Sequence, residues 1–216
     1  MPRNKHPEET VKKILDASLK LFTEKGYEQT TILDIVNDLG GLTRGAFYHH
    51  FKSKEDVFQA LINKLYDDNN PFEAIKDMQG ASGLEKLKTV FSSSTGAQYP
   101  ELMHTAMSLL RQPRFLMEHL RDTTEIAKML EPLIQEGMAD GSIRPGNAKF
   151  LAELALLITN VWLFSPIFPG DKAEILDRAK LMKQILDGLG FPVLDEGTMG
   201  IVDKVAEAVC VPPSSG

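Results

Sequence analysis

Arg44, Lys52 and Lys54, with His49 and His50 among them, stand in a stretch that holds no carboxylate from Leu39 to Lys54, within a chain of net charge −6. Cationic and imidazole groups gathered this way bind anions, and the anion that matches a stripe along a short helix is a nucleic-acid phosphate backbone. Gly45 and Ala46 are small enough to let a helix approach a groove wall. Phe47 and Phe51 share one helical face and are expected to anchor inward, leaving Tyr48 and His49 to point outward. The candidate DNA-contacting residues are therefore Thr31, Thr43, Arg44, Gly45, Tyr48, His49, Lys52 and Lys54. Arg44 is expected at base edges, guanine above all, with Thr43 and Gly45 beside it. Tyr48, His49, Lys52 and Lys54 are expected on phosphates. Adjacent residues on a helix point about 100° apart, so His49 and His50 do not make a metal pair, and no cysteine or carboxylate cluster joins them. No metal site, catalytic residue or cofactor is expected.

The elements that must position these groups are legible from their ends. Thr31 with Asp34 forms a capping-box-like start, and Ile32, Ile35, Val36 and Leu39 follow at helical spacing. Gly40-Gly41 ends that helix, and Thr43 is the N-cap of a second one of about two turns, too short to be stable alone. Ser53 with Asp56 opens a third, running from Lys54 to about Asp68. Ahead of them a helix is expected from Pro7 to Lys25, with Pro7 at its first position, Glu8 and Glu9 in its first turn and Gly26 just past its end. Two helices around a glycine turn make a helix-turn-helix, whose second helix enters the major groove.

Residues 10–58 resemble the DNA-binding head of the TetR family of bacterial transcriptional regulators. The resemblance rests on Ile14-Leu15-Asp16-Ala17, Leu21-Phe22, Lys25-Gly26-Tyr27, Thr30-Thr31, Asp34-Ile35 and the run Thr43-Arg44-Gly45-Ala46-Phe47-Tyr48-His49-His50-Phe51-Lys52-Ser53-Lys54-Glu55. Between the two helices, Leu39-Gly40-Gly41-Leu42 supplies one residue more than the family pattern. A second, shorter likeness lies in Glu136-Gly137-Met138-Ala139-Asp140-Gly141-Ser142-Ile143. The resemblance implies an all-α fold: a three-helix DNA-binding head (1–53), a helical effector-binding and dimerisation domain (54–211) and, from composition, a disordered tail (212–216). It also implies a homodimeric repressor released from a palindromic operator by a small-molecule effector.

Beyond the head, helices are expected at about 84–93, 101–110, 114–137, 148–165, 171–189 and 198–210, with Pro132 kinking or splitting the third of them. No alternating β-branched run signals a strand. Phe91, Tyr99, Met103, Met107, Phe115 and Trp162 are the candidate apolar lining of an effector pocket, with His104 or Arg111 as polar contacts. Between Leu151 and Phe164 the apolar residues cover nearly the whole circumference, with only Glu153, Thr159 and Asn160 as a polar stripe. Such a helix must be buried on several sides. The candidate dimer interface is Leu154, Leu157, Ile158, Val161, Ile175, Leu176, Ala179, Met182 and Leu186, which the resemblance arranges as a four-helix bundle. A dyad also serves function, since one two-turn helix reads too few bases.

Composition narrows the classes further. The chain of 216 residues has one cysteine, Cys210, so no internal disulfide can form, which fits a reducing cytoplasm. The first residues lack an apolar stretch, and Glu153, Asn160 and Pro166 interrupt the one long apolar run, so no membrane association is expected. Residues 1–66 carry ten Lys/Arg and nine Asp/Glu, against fourteen and twenty-one in the remainder; an acidic body behind a locally basic head orients it head-first on DNA. An activator or ligand-independent regulator of the same fold is the alternative. A small helical enzyme using His49, His50, His104 or His119 is the remote one, for which the sequence lacks a nucleophile elbow, a phosphate loop and paired carboxylates.

Overall fold

The computed structural model describes residues 7–93, 99–164 and 167–210, and of residues 100 and 101 the backbone alone. Ten α-helices and no strand occur among them: α1 (Pro7–Glu24), α2 (Ile32–Asp38), α3 (Arg44–His50), α4 (Lys54–Asp68), α5 (Gly83–Ser92), α6 (Pro100–Leu109), α7 (Pro113–Asp140), α8 (Ala148–Leu157), α9 (Lys172–Gly188) and α10 (Glu196–Cys210). The fold is all-α, as the sequence implies. The expected tail, 212–216, lies outside the described residues. No helix is long and apolar enough to cross a membrane, among the described residues.

These helices form two compact units, 7–68 and 69–210. The first runs past the expected boundary at residue 53, because α4 supplies part of its core. Val57, Phe58, Leu61 and Leu65 of α4 are buried together with Ile14, Leu15 and Phe22 of α1, Ile35 and Val36 of α2, and Phe47 of α3. Three rings meet where α1, its following turn and α4 converge: the centroids of Phe22 and Tyr27 lie 5.1 Å apart, Tyr27 and Phe58 5.3 Å, Phe22 and Phe58 5.9 Å. Aromatic contacts at such distances add to the burial of the rings themselves. Two buried hydroxyls are satisfied locally, Ser18 Oγ donating to Ile14 O at 2.7 Å and Thr30 Oγ1 to Gly26 O at 2.8 Å, as buried polar groups require.

In the second unit the recurring 136–143 stretch has a mechanical role. A Cβ built on Gly83 falls 2.2 Å from Gly137 N and 2.5 Å from Leu133 O, and one built on Gly137 falls 2.5 Å from Ile143 Cδ1. Helices α5 and α7 therefore cross backbone to backbone. At the crossing Gly83 N donates to Asp140 Oδ2 (2.7 Å), Leu84 N to Ser142 Oγ (3.3 Å) and Ser142 N to Asp140 Oδ1 (2.8 Å), and Lys86 pairs with Glu136. The end of α7 thus helps satisfy the orphan amides at the start of α5. Gly141, at φ +82°, takes the left-handed C-cap position that releases α7.

Pro132 departs from expectation: α7 runs unsplit through it. Proline removes one amide donor, but Pro132 is exposed, so water can reach the carbonyl left without its partner. The helix after Asn147 does change character. Its α-helical part ends at Leu157 and a π-helical turn, Ile158–Leu163, replaces the continuation to residue 165 that hydrophobicity alone implies.

Because the atoms facing Gly83 are backbone, they cannot yield as a side chain would. Gly83→Ala is expected to destabilise the chain by roughly 1–3 kcal/mol or more, read as a lowered urea midpoint. An unchanged midpoint would show that α5 and α7 are free to move apart.

Candidate nucleic-acid interface

Helix α2 is set against α1 by charge as well as by packing. Lys20 Nζ lies 2.7 Å from Asp38 Oδ1, and Lys25 Nζ 2.8 Å from Asp34 Oδ2. Thr31 is the N-cap of α2 and completes a capping box: Thr31 Oγ1 accepts from Asp34 N (3.1 Å), while Asp34 Oδ2 accepts from Thr31 N and from Thr31 Oγ1, both at 2.8 Å. The Lys25 ammonium, with the Thr31 amide and hydroxyl, holds the Asp34 carboxyl down at about 2. Thr31 was expected at DNA; its hydroxyl both donates and accepts within this box, so the structure engages it as a cap.

The turn follows. Leu39 caps the end of α2, and Gly40 N donates to Asn37 O at 3.1 Å with φ +62°, a conformation that favours glycine. Thr43 is the N-cap of α3, its Oγ1 accepting from Ala46 N at 3.1 Å, which leaves the hydroxyl proton available. Phe47 is fully buried and Phe51 nearly so, their centroids 6.0 Å apart. Arg44, Gly45, Tyr48 and His49 are all exposed, with Tyr48 edge-on to Phe47 at 5.6 Å. Arg44 and Lys52 make no ion pair among the described residues. Gly45 has open space: a Cβ there would meet only Thr43 Oγ1, at 3.9 Å, and its φ is ordinary. Nothing among the described residues demands a glycine there, although glycine costs a helix about 1 kcal/mol relative to alanine.

Lys54 is placed differently from expectation. Its Nζ donates to Tyr27 O at 2.7 Å and lies 4.1 Å from the centroid of the Tyr27 ring. Burial pushes its ammonium below the usual lysine range, against the opposing charges of Glu28 and Glu55. A half-buried ammonium bonded to a carbonyl is a tie between the α1–α2 turn and the start of α4; of the other residues expected on phosphates, Tyr48, His49 and Lys52 are exposed. The tie was not readable from sequence, since the partner is a backbone oxygen 27 residues away.

The second unit holds the remaining candidates. Phe91 and Trp162 pack against the core and Phe115 is buried. Tyr99, Met103, His104 and Met107 are half-buried, and Arg111 is exposed in the α6–α7 connection. A polar cluster beside the π-helical turn joins residues that the pocket candidates omit. Asn160 Nδ2 donates to Thr123 Oγ1 at 3.2 Å, Thr123 Oγ1 donates to His119 O at 2.8 Å, and His119 Nε2 lies 3.3 Å from the acceptor Asn160 O. The i, i+4 spacing of His119 and Thr123 was the signal that could have found it. Of the interface candidates, Ile175, Ala179, Met182 and Leu186 are buried in the core of their own chain. Leu176 and Ile158 are half-buried against that core, Leu154 and Val161 are half-buried, and Leu157 is 51% exposed. The outward side of α9 is instead Leu181 and Ile185, with Leu189 just beyond its end.

Two short helices around a left-handed glycine, the second presenting an arginine, an imidazole and a phenol above a buried aromatic anchor, define a helix-turn-helix DNA-binding unit. The family model for bacterial regulatory proteins of the tetR family matches residues 14–61. A protein described as the HTH-type transcriptional repressor KstR2 of Mycolicibacterium smegmatis is 34% identical over 139 residues, 61% of this chain and 66% of that protein. Its namesake in Mycobacterium tuberculosis is 31% identical over 140 residues, 61% and 68% respectively. Among solved structures, a TetR-family transcriptional regulator from Pectobacterium atrosepticum is similar in fold, with a TM-score of 0.60 at 21% identity, over 87% of this chain and 97% of that one. The chain belongs to the TetR family of bacterial regulatory proteins. It is a DNA-binding transcriptional regulator and not an enzyme.

A carboxyl with a depressed pKa supports folding fully above its ordinary value of 3.8 and loses that support as pH falls toward its folded value. The Asp34 carboxyl carbon, followed by NMR in the whole protein, is expected to titrate near 2 and, in Lys25→Ala, to move back toward 4. A wild-type midpoint near 4 would remove Lys25–Asp34 from the α1–α2 contact.

Proposed function

We propose that the chain is a homodimeric cytoplasmic repressor that holds a palindromic operator through two copies of α3 and releases it when a small molecule binds the second unit. The observation that carries the reading is the outward face of α3, where Arg44, Gly45, Tyr48 and His49 stand exposed with no carboxylate nearby in sequence. The relatives' description as repressors supports the sign of regulation. Arg44 reads base edges, and Tyr48, His49 and Lys52 hold phosphates. The unoccupied space at Gly45 is then filled by DNA, which accounts for a glycine that the fold itself does not need.

Seven residues of α3 reach only a few base pairs, so a second copy is needed, and two recognition helices must lie about 34–36 Å apart to meet successive major grooves. The apolar residues left exposed on α8 and α9, Phe150, Leu157, Leu181 and Ile185, support a dimer formed by these two helices. For release, an effector has only to prefer the non-binding arrangement by a few kcal/mol. The π-helical turn and the His119–Thr123–Asn160 cluster support its site, because π-turns recur where a helix serves a ligand.

Selection of duplexes from a random pool with the full chain is expected to yield a palindrome. On that duplex Gly45→Ala is expected to separate stability from binding. It should raise the unfolding midpoint slightly, through helix propensity, while weakening the complex at least tenfold because the methyl group meets the groove wall. Equal affinity would overturn the close approach of α3. For the dimer, Leu181→Glu combined with Leu157→Glu is expected to yield a folded monomer by sedimentation, with unchanged helical content; a persistent dimer would move the interface elsewhere.

A further inference from the structure

The buried face of α2 comprises Ile35 and Val36, with Ile32 and Leu39 half-buried beside them. Leu33 is not part of it: at about 100° per residue it falls outside that sector, and it is 48% exposed. A single exposed leucine is ordinary on a protein surface. In the first unit the large apolar side chains left exposed are Leu33 and Tyr48. One is on each helix of the helix-turn-helix, and neither α1 nor α4 exposes any.

The two flanks of α2 also differ in charge. Asp34 and Asp38, one turn apart, are drawn to α1 and neutralised by Lys25 and Lys20. Leu33 and Asn37, one turn apart on the other flank, are both exposed and uncharged, and the Asn37 side chain makes no hydrogen bond among the described residues. A surface that lies against DNA must be free of unpaired carboxylate, and this flank is.

From these observations we infer that Leu33 is a specificity-determining residue that packs on the 5-methyl group of a thymine at the edge of each half-site. The inference rests on α3 being the groove-entering helix. Among base edges in the major groove, the thymine methyl is the apolar feature, and it is read by apolar contact. A leucine has no hydrogen bond to offer a phosphate or a base heteroatom, so this contact selects sequence without adding charge.

The test uses the full chain and the duplex selected from the random pool. Each thymine is replaced in turn by deoxyuracil, symmetrically in both half-sites, which removes one methyl group and leaves base pairing intact. Wild-type protein is expected to lose affinity at one thymine, roughly fourfold per half-site, the scale of one buried methyl group. Leu33→Ala is expected to bind the thymine duplex more weakly, to show no further loss at that deoxyuracil, and to keep the wild-type salt slope, since no phosphate contact is removed. A methyl effect of equal size in wild type and Leu33→Ala would assign the contact to another residue. Wild-type affinity indifferent to every deoxyuracil would overturn the inference while leaving the operator reading intact. Failure of the wild-type protein to select any duplex would overturn the operator reading itself. Because Leu33 is exposed and its packing is not needed by the core, Leu33→Ala keeps its fold, checked by an unchanged unfolding midpoint.

Discussion

A helix of two turns has no stability of its own in water, so the exposed face of α3 exists only while Phe47 stays buried. α3 has seven residues, well short of what an isolated helix needs. What holds it is the Thr43 cap at one end and, along its length, the packing of the helix on α2 with Phe47 fully buried and Phe51 beside it. Once that ring is seated, helical geometry turns Gly45, Tyr48 and His49 away from it, and Arg44, in the first turn, stays exposed. The outward set on α3 is thus positioned by a buried residue.

Charge is arranged around this anchor with the same economy. The carboxylates of α2 face α1, where two lysines neutralise them, and Lys54 is turned inward onto the Tyr27 carbonyl. Cations that sequence alone counts as phosphate ligands are in part structural ties. What remains outward is a smaller set, Arg44, His49 and Lys52, flanked by apolar and neutral groups, a surface better suited to reading bases than a uniformly cationic one, because phosphate contacts position and base contacts specify.

The second unit uses a different constraint. Gly83 and Gly137 let α5 and α7 cross with their backbones in contact, and Asp140 and Ser142 fasten the crossing through hydrogen bonds to the amides of α5. Against this fixed corner, the π-helical turn of Ile158–Leu163 and its polar neighbours form an irregular segment in an otherwise regular helical body.

The all-α class, the helix-turn-helix, the caps at Thr31 and Thr43, and the outward set on α3 were legible in the sequence, because each follows from periodicity and end chemistry within a few residues of chain. Lys54 bonded to Tyr27, the passage of α7 through Pro132, the replacement of regular helix by a π-turn, and the inward placement of Ile175, Ala179, Met182 and Leu186 were not. Each depends on which neighbour lies across space: a carbonyl 27 residues back, solvent beside an exposed proline, a polar cluster that joins α7 to the π-turn itself, a core that claims one side of α9. Local sequence determined which residues could be helical and which faces were apolar. Only tertiary packing decided which of those apolar faces met the chain's own core and which, at Leu33, Leu157 and Leu181, were left for something else, because burial is a property of the assembled neighbours and not of the residue.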